Sequence, residues 1–166
     1  MANWKQPTLK LVEISVVHAA VLAEVHNACF EFPWCTADFQ ELLISPTVFG
    51  FISQIKPGMR LPSLGDPNFN GFILCSAVPG ECEILTIGVL PLWRRHHIAL
   101  KLIQYAILAA KKKGARKLFL EVSENNKAAH MLYADQNFQE VGRRLKYYRE
   151  GKHRVDAIIL SKSIRL

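Results

Sequence analysis

The stretch Leu85–Val122 leaves few architectures open. Ile84, Leu85, Ile87, Val89 and Leu90 form an apolar run of strand length, and Pro91-Leu92-Trp93-Arg94-Arg95-His96-His97 then breaks it with a proline and a cluster of cations. Ile98 to Lys113 is apolar nearly all round, which predicts a buried helix rather than a surface one. Lys111–Lys113 crowd its last turn, and Gly114 supplies the expected left-handed terminator. Leu118, Phe119, Leu120 and Val122 make a second buried-type strand around one acid, Glu121. Two apolar strands joined by a helix of this length are most simply parallel neighbours in a right-handed crossover. The turn entering the helix then presents backbone N–H groups, a positive dipole end, Arg94 and Arg95 to one spot. That is an anion site, with phosphate the expected anion.

The rest of the chain reads as follows. Residues 8–17 are an outer strand, His18 to Phe30 a helix, and Thr36 caps a second helix running to about Ser45. Val48–Ile55 is a strand. Lys56 to Asn70, with three prolines and two glycines, is a long mobile loop. Phe72–Val78 and Cys82–Leu90 are strands joined at Pro79-Gly80. After Val122 comes a short helix, Lys127–Gln136, capped by Asn125 or Asn126, with Asn137 in the left-handed position that ends it. Phe138–Arg149 and Arg154–Leu160 close the chain as a hairpin. The expected fold is α/β: one mixed sheet of about seven strands with helices on both faces, and residues 1–166 as a single domain.

Charge narrows the ligand. The net charge is +7, but residues 1–90 carry four Lys and Arg against eight Asp and Glu, while residues 91–166 carry seventeen against six. The positive half holds the anion loop, so an acidic or phosphorylated ligand fits better than a membrane, and nucleic acid is the weaker reading. Cysteines at 29, 35, 75 and 82 have no paired spacing, which points to plain thiols in a reducing cytoplasm rather than disulfides or zinc. The first residues lack a hydrophobic signal core, and no apolar run is long enough to span a bilayer.

Glu121 is the first candidate for chemistry, because its strand neighbours are all apolar. A buried carboxylate becomes neutral, finds a partner, or exists for function. Its strand follows the anion-loop helix, so its carboxyl end opens at the ligand crevice, which favours a general base. Tyr133 lies seven residues past Asn126 on the next helix, and a phenol there could donate a proton to a leaving group. The adjacent His96 and His97 point apart in a turn and suit phosphate better than a shared metal. Tyr147-Tyr148 in a regular strand would place one ring on each face.

The segment Ile87-Gly88-Val89-Leu90-Pro91-Leu92-Trp93-Arg94-Arg95, followed by Ile98-Ala99, resembles the acetyl-CoA loop of the GNAT acetyltransferase superfamily. The further series Phe32-Pro33-Trp34, Leu120-Glu121-Val122, Asn126, Ala128-Ala129, Leu132-Tyr133, Phe138, Arg144, Tyr147-Tyr148 and Asp156-Ala157-Ile158 is similar to its RimI-like branch, the protein N-terminal alanine acetyltransferases. The resemblance runs over about residues 8–162. It implies direct transfer of acetyl from acetyl-CoA, as co-substrate and without a metal, to a protein's N-terminal amine. Glu121 would be the base and Tyr133 the proton donor to the departing CoA thiolate. The backbone of Ile87, Gly88 and Val89 would hold the pantetheine arm and acetyl carbonyl. Arg94, Arg95, His96, His97, Ile98, Ala99 and Leu100 would surround the pyrophosphate, with Asn126 also on CoA. Phe32, Trp34 and Tyr147 would line the peptide side. The implied substrate is the N-terminus of a small-subunit ribosomal protein, and the implied enzyme is a cytoplasmic monomer or weak dimer.

The chain departs from that pattern at the loop's first glycine, which is His97 here. The second is Ala99, and the helix-ending glycine is Asn137. A side chain at 97 crowds the phosphate, forces a positive φ, or adds a donor to the phosphate. Two other activities fit the same residues less well: acetylation of a lysine or small amine, and a degenerate CoA-binding module without strong activity.

Overall fold

A computed structural model of the chain describes residues 9–55 and 69–164. Among these residues seven strands and four helices follow in the order β1 (Leu9–Glu13), α1 (Ala19–Cys29), α2 (Thr36–Ile44), β2 (Val48–Ile55), β3 (Phe69–Val78), β4 (Gly80–Val89), α3 (Ile98–Lys112), β5 (Ala115–Ser123), α4 (Lys127–Asp135), β6 (Gln139–Glu150) and β7 (His153–Ser163). The strands form one mixed sheet in the order β1-β2-β3-β4-β5-β7-β6. β4 and β5 run parallel, with Cys82 beside Leu118 and Ile84 beside Leu120, as two apolar strands joined by a helix require. The pairs β1–β2, β2–β3, β5–β7 and β6–β7 are antiparallel. This is the expected fold class and element order.

Several boundaries differ from the sequence reading. β1 ends at Glu13, and a 3-10 turn over Val16–His18 takes the rest of the expected strand. The cap of α2 is Cys35, not Thr36: Cys35 N donates to Asp38 Oδ2 at 2.6 Å, so the side chain three positions on satisfies the capping residue's own N–H. The expected loop 56–70 lies outside the described residues except for Phe69 and Asn70, which open β3. α3 is not buried all round. Ile98, Leu102, Ala106 and Ala110 recur every four residues on a buried face, while Tyr105 and Leu108 are half exposed. One helix face is all a sheet can cover, so the surplus apolar residues meet water.

The chain divides into two compact units, Met1–Ser76 with Thr86–Ala106 and Ala77–Leu85 with Ile107–Leu166. Each has its own fully buried side chains, Leu22, Phe39, Phe72 and Ile98 in the first, Leu118 and Leu120 in the second.

In the first unit the imidazole of His26 is enclosed by aromatic rings. It stacks on Phe30 and Trp34 at 4.1 and 5.1 Å between centroids, meets Phe39 edge-on, and its Nδ1 accepts the Trp34 N–H at 3.1 Å. Burial pulls this histidine from 6.5 down to about 4, against a weaker opposite pull from Asp38. The unfolded chain binds the proton as pH falls through 6.5, and the folded chain resists until about 4. Stability from the neutral ring is therefore complete above that window and lost as pH falls through it, on the order of 2–3 kcal/mol. Thermal midpoints taken from pH 7.5 to 4 should drop for the wild type. His26→Asn, which keeps an acceptor near Nδ1, should be less stable at pH 7 and flatter with pH.

Candidate functional site

The first group of site residues sits where β4 leaves the sheet. Gly88 packs so closely that a Cβ there would meet Phe72 Cε1 at 3.2 Å, Cys29 Sγ at 3.3 Å and Phe30 Cε2 at 3.4 Å. Glycine thus lets the strand end lie flat against α1 and its C-terminal residue. Leu90 N donates to Asn70 O at 2.9 Å, and Pro91–Trp93 form a 3-10 turn pinned by the buried Trp93 ring. The chain then passes through two left-handed residues, Arg95 at φ 66° and His97 at φ 57°. His97 stands where the resemblance puts a glycine, and it adopts the conformation a glycine would take. Arg95 in the same region was not foreseen. Two such residues within three positions cost roughly 1 kcal/mol or more each, and strain of this kind concentrates at functional turns.

The first helical hydrogen bond of α3 runs from Lys101 N to His97 O at 3.1 Å. The N–H groups of Ile98, Ala99 and Leu100 are therefore left without helical acceptors, at the positive end of the helix dipole. The two arginines divide. Arg94 Nε donates to Val89 O at 3.3 Å, and its side chain also bonds Cys29, whose thiol burial pushes up. Arg94 is thereby turned to the strand end. Arg95 is exposed with no partner among the described residues. His96 Nδ1 lies 2.8 Å from Arg94 O and its ring is 5.8 Å from Trp93, so this imidazole braces the turn.

Replacing His97 by glycine should relieve one left-handed Cβ without removing any hydrogen bond recorded for the side chain. Titration calorimetry should find acetyl-CoA affinity of His97→Gly equal to or above that of the wild type. A large loss would show that His97 itself holds the phosphate.

The second group lies on β5, α4 and β6. The Glu121 side chain is 16% exposed, and its Oε1 is ion-paired with Arg144 Nε at 2.7 Å. The buried carboxylate has thus found a cation, one of the outcomes its apolar strand demanded. Tyr148 Oη donates to the Glu121 carbonyl oxygen at 3.3 Å. Burial, followed by the charge of Glu121, pushes the Tyr148 phenol up to about 12, which keeps it a donor at neutral pH. The expectation of one tyrosine ring per face fails here. β6 loses register against β7 between Arg144 and Tyr148, Lys146 takes φ 52°, and the rings of Tyr147 and Tyr148 meet edge-to-face at 5.2 Å. A bulge breaks the two-residue alternation that the expectation assumed.

Asn126 caps α4, its Oδ1 accepting from Ala129 N at 3.1 Å. Tyr133 is buried on the same helix with its ring 5.5 Å from Phe138. Asn137 closes the helix at φ 60°. Of the expected peptide-side residues, Tyr147 is half exposed under the Arg144 guanidinium, Phe32 is exposed, and Trp34 is stacked in the His26 cluster. Arg144 and Tyr148 belong to the series that resembles the family, and sequence reasoning assigns them no role in the chemistry. Their spacing, an arginine three residues before a tyrosine pair, was the available signal.

None of the four cysteines forms a disulfide. Among the described residues, no three His, Cys, Asp or Glu side chains converge as metal ligands, and no helix is long and apolar enough to cross a membrane.

The profile of the acetyltransferase (GNAT) family matches residues 20–138. The chain is 26% identical over 143 residues to the ribosomal protein bS18-alanine N-acetyltransferase of Salmonella typhimurium, covering 86% of this chain and 89% of that protein. Its fold is similar to the crystal structure of the ribosomal-protein-S18-alanine N-acetyltransferase of Escherichia coli, with a TM-score of 0.82, 23% identity and 96% of each chain covered. It is also similar to Arabidopsis thaliana NAA60 in complex with acetyl-CoA, with a TM-score of 0.81, 20% identity, and 95% and 99% of the two chains covered.

Proposed function

The chain belongs to the acetyltransferase (GNAT) family, and from that premise we propose that it transfers acetyl from acetyl-CoA to the α-amine of a protein N-terminus. The observation that carries the reading is the turn into α3. There three helix N–H groups and Arg95, all without a partner among the described residues, and two left-handed residues make a site for a pyrophosphate. The backbone of Ile87, Gly88 and Val89 takes the pantetheine arm and the acetyl carbonyl, and Asn126 adds a contact to CoA. His96, His97, Ile98, Ala99 and Leu100 complete the phosphate turn, with Arg94 bracing it. Residues 1–166 act as one domain in the cytoplasm.

Glu121 accepts a proton from the substrate amine, directly or through water. The amine nitrogen attacks the thioester carbonyl carbon; the C–N bond forms, the C–S bond breaks, and Tyr133 gives its phenolic proton to the CoA thiolate. Phe32, Trp34 and Tyr147 lie on the peptide side. Relatives named for ribosomal protein bS18 alanine support a ribosomal-protein N-terminus as the substrate. Calorimetric titration with acetyl-CoA, followed by an acetylation assay on peptides with free N-termini, tests the reading. Binding in a 1:1 ratio and acetylated peptide are expected. Absence of acetyl-CoA binding would remove it.

A further inference from the structure

One oxygen of the Glu121 carboxylate, Oε1, is held by Arg144 Nε at 2.7 Å; the other, Oε2, has no partner among the described residues. The same guanidinium lies over the Tyr147 ring, 5.3 Å from its centroid. In a regular strand, residues three apart point to opposite faces. The β6 bulge removes that constraint and brings Arg144 and Tyr147 together. The bulge is itself tied down: Lys146 N donates to Asp156 Oδ1 at 2.8 Å, and Arg154 Nη1 donates to Lys146 O at 3.3 Å.

From this geometry we infer that Arg144 is a positioning residue for the base: it clamps one carboxylate oxygen of Glu121 and leaves the other for the incoming amine. The inference rests on Glu121 being the base. Its surroundings show why a cation is needed there. Tyr147 and Tyr148 come from β6, and Glu83 comes from β4, paired with Phe119 two residues before Glu121 and so on the same face. β7 places the uncharged Ile159 opposite. Arg144 is the positive group paired with Glu121 on a face that also carries Glu83. Its side chain is 56% exposed, and a pair so open to water contributes little to holding the fold. Orientation and charge of the carboxylate are what it supplies. A guanidinium over a phenol ring and ion-paired through Nε has few arrangements, whereas a free glutamate has several.

Arg144→Gln should lower kcat roughly 10-fold or more, the scale of a misplaced catalytic group, with acetyl-CoA affinity unchanged. KM for the acceptor peptide should change less than kcat, because the binding groups stay in place while the carboxylate loses its alignment. Arg144→Lys, which keeps the charge but not the planar guanidinium, should recover part of kcat. Added to Glu121→Gln, the Arg144→Gln change should cost little further kcat, because a residue that acts through the carboxylate has nothing left to act on. An unchanged kcat in Arg144→Gln, or its full loss repeated on top of Glu121→Gln, would overturn the inference. If the wild type bound acetyl-CoA but acetylated no amine, the enzymatic reading would fail, and the inference with it.

Discussion

Glu121→Gln should lower turnover by roughly 10²-fold or more at neutral pH, the low end for loss of a general base. A protein N-terminal amine has pKa about 7.7–8.0, so near pH 7 most of it is protonated and cannot attack. The carboxylate removes that proton beside the reacting centre; glutamine cannot. Raising the pH should restore part of the loss, because the amine then sheds its proton to water. Tyr133→Phe should also slow turnover, but high pH should not rescue it, since the missing proton is the one delivered to the thiolate. Neither change should alter acetyl-CoA affinity much. Rates of both variants measured from pH 6 to 9 separate the two roles, and wild-type activity of Glu121→Gln across that range would make Glu121 a structural partner of Arg144 alone.

Arg95→Ala should weaken acetyl-CoA by about 1.5–3 kcal/mol, the range for a hydrogen bond to a charged group. Arg94→Ala should cost less affinity and more stability. Arg94 is engaged with Val89 O and Cys29, whereas Arg95 has no partner among the described residues. The sequence shows two adjacent arginines and gives no basis for ranking them. The structure does, because Arg95 sits at φ 66° and so leaves the turn in a different direction from its neighbour. Calorimetric titration of the two variants, with thermal midpoints alongside, checks the division. Equal losses from both would show that the turn rearranges around the ligand.

What could be read from the chain alone was whatever depends on local chemistry. Gly114 and Asn137 both adopt the left-handed conformation expected of them, at φ 83° and 60°. The parallel β4–β5 pair followed from two apolar runs and a helix between them. A positive φ at His97 was one of three alternatives raised by the glycine that the family resemblance places there, and His97 adopts it, at φ 57°. What could not be read depends on partners distant in sequence. Nothing in the order Arg143 to Arg149 announces a bulge, because the break in alternation is stabilised by Asp156 on another strand. The Glu121–Arg144 pair, 23 positions apart, joins two strands that flank β7, Glu121 opposite Ile159 and Arg144 opposite Ala157, a register that no local run of residues shows. The capping of Cys35 by Asp38 was missed because threonine is the stronger capping residue by type, and the side chain three positions on decided otherwise.

The measurement that bears most directly on the proposed activity is the position of the acetyl group in the product. The protein is incubated with acetyl-CoA and a peptide that begins with alanine and carries an internal lysine. A second peptide of the same sequence has its N-terminus blocked. Tandem mass spectrometry should place acetyl on the α-amine of the first peptide and find none on the second. Acetyl on the lysine of both peptides would contradict the N-terminal assignment and make the chain a side-chain acetyltransferase of the same family.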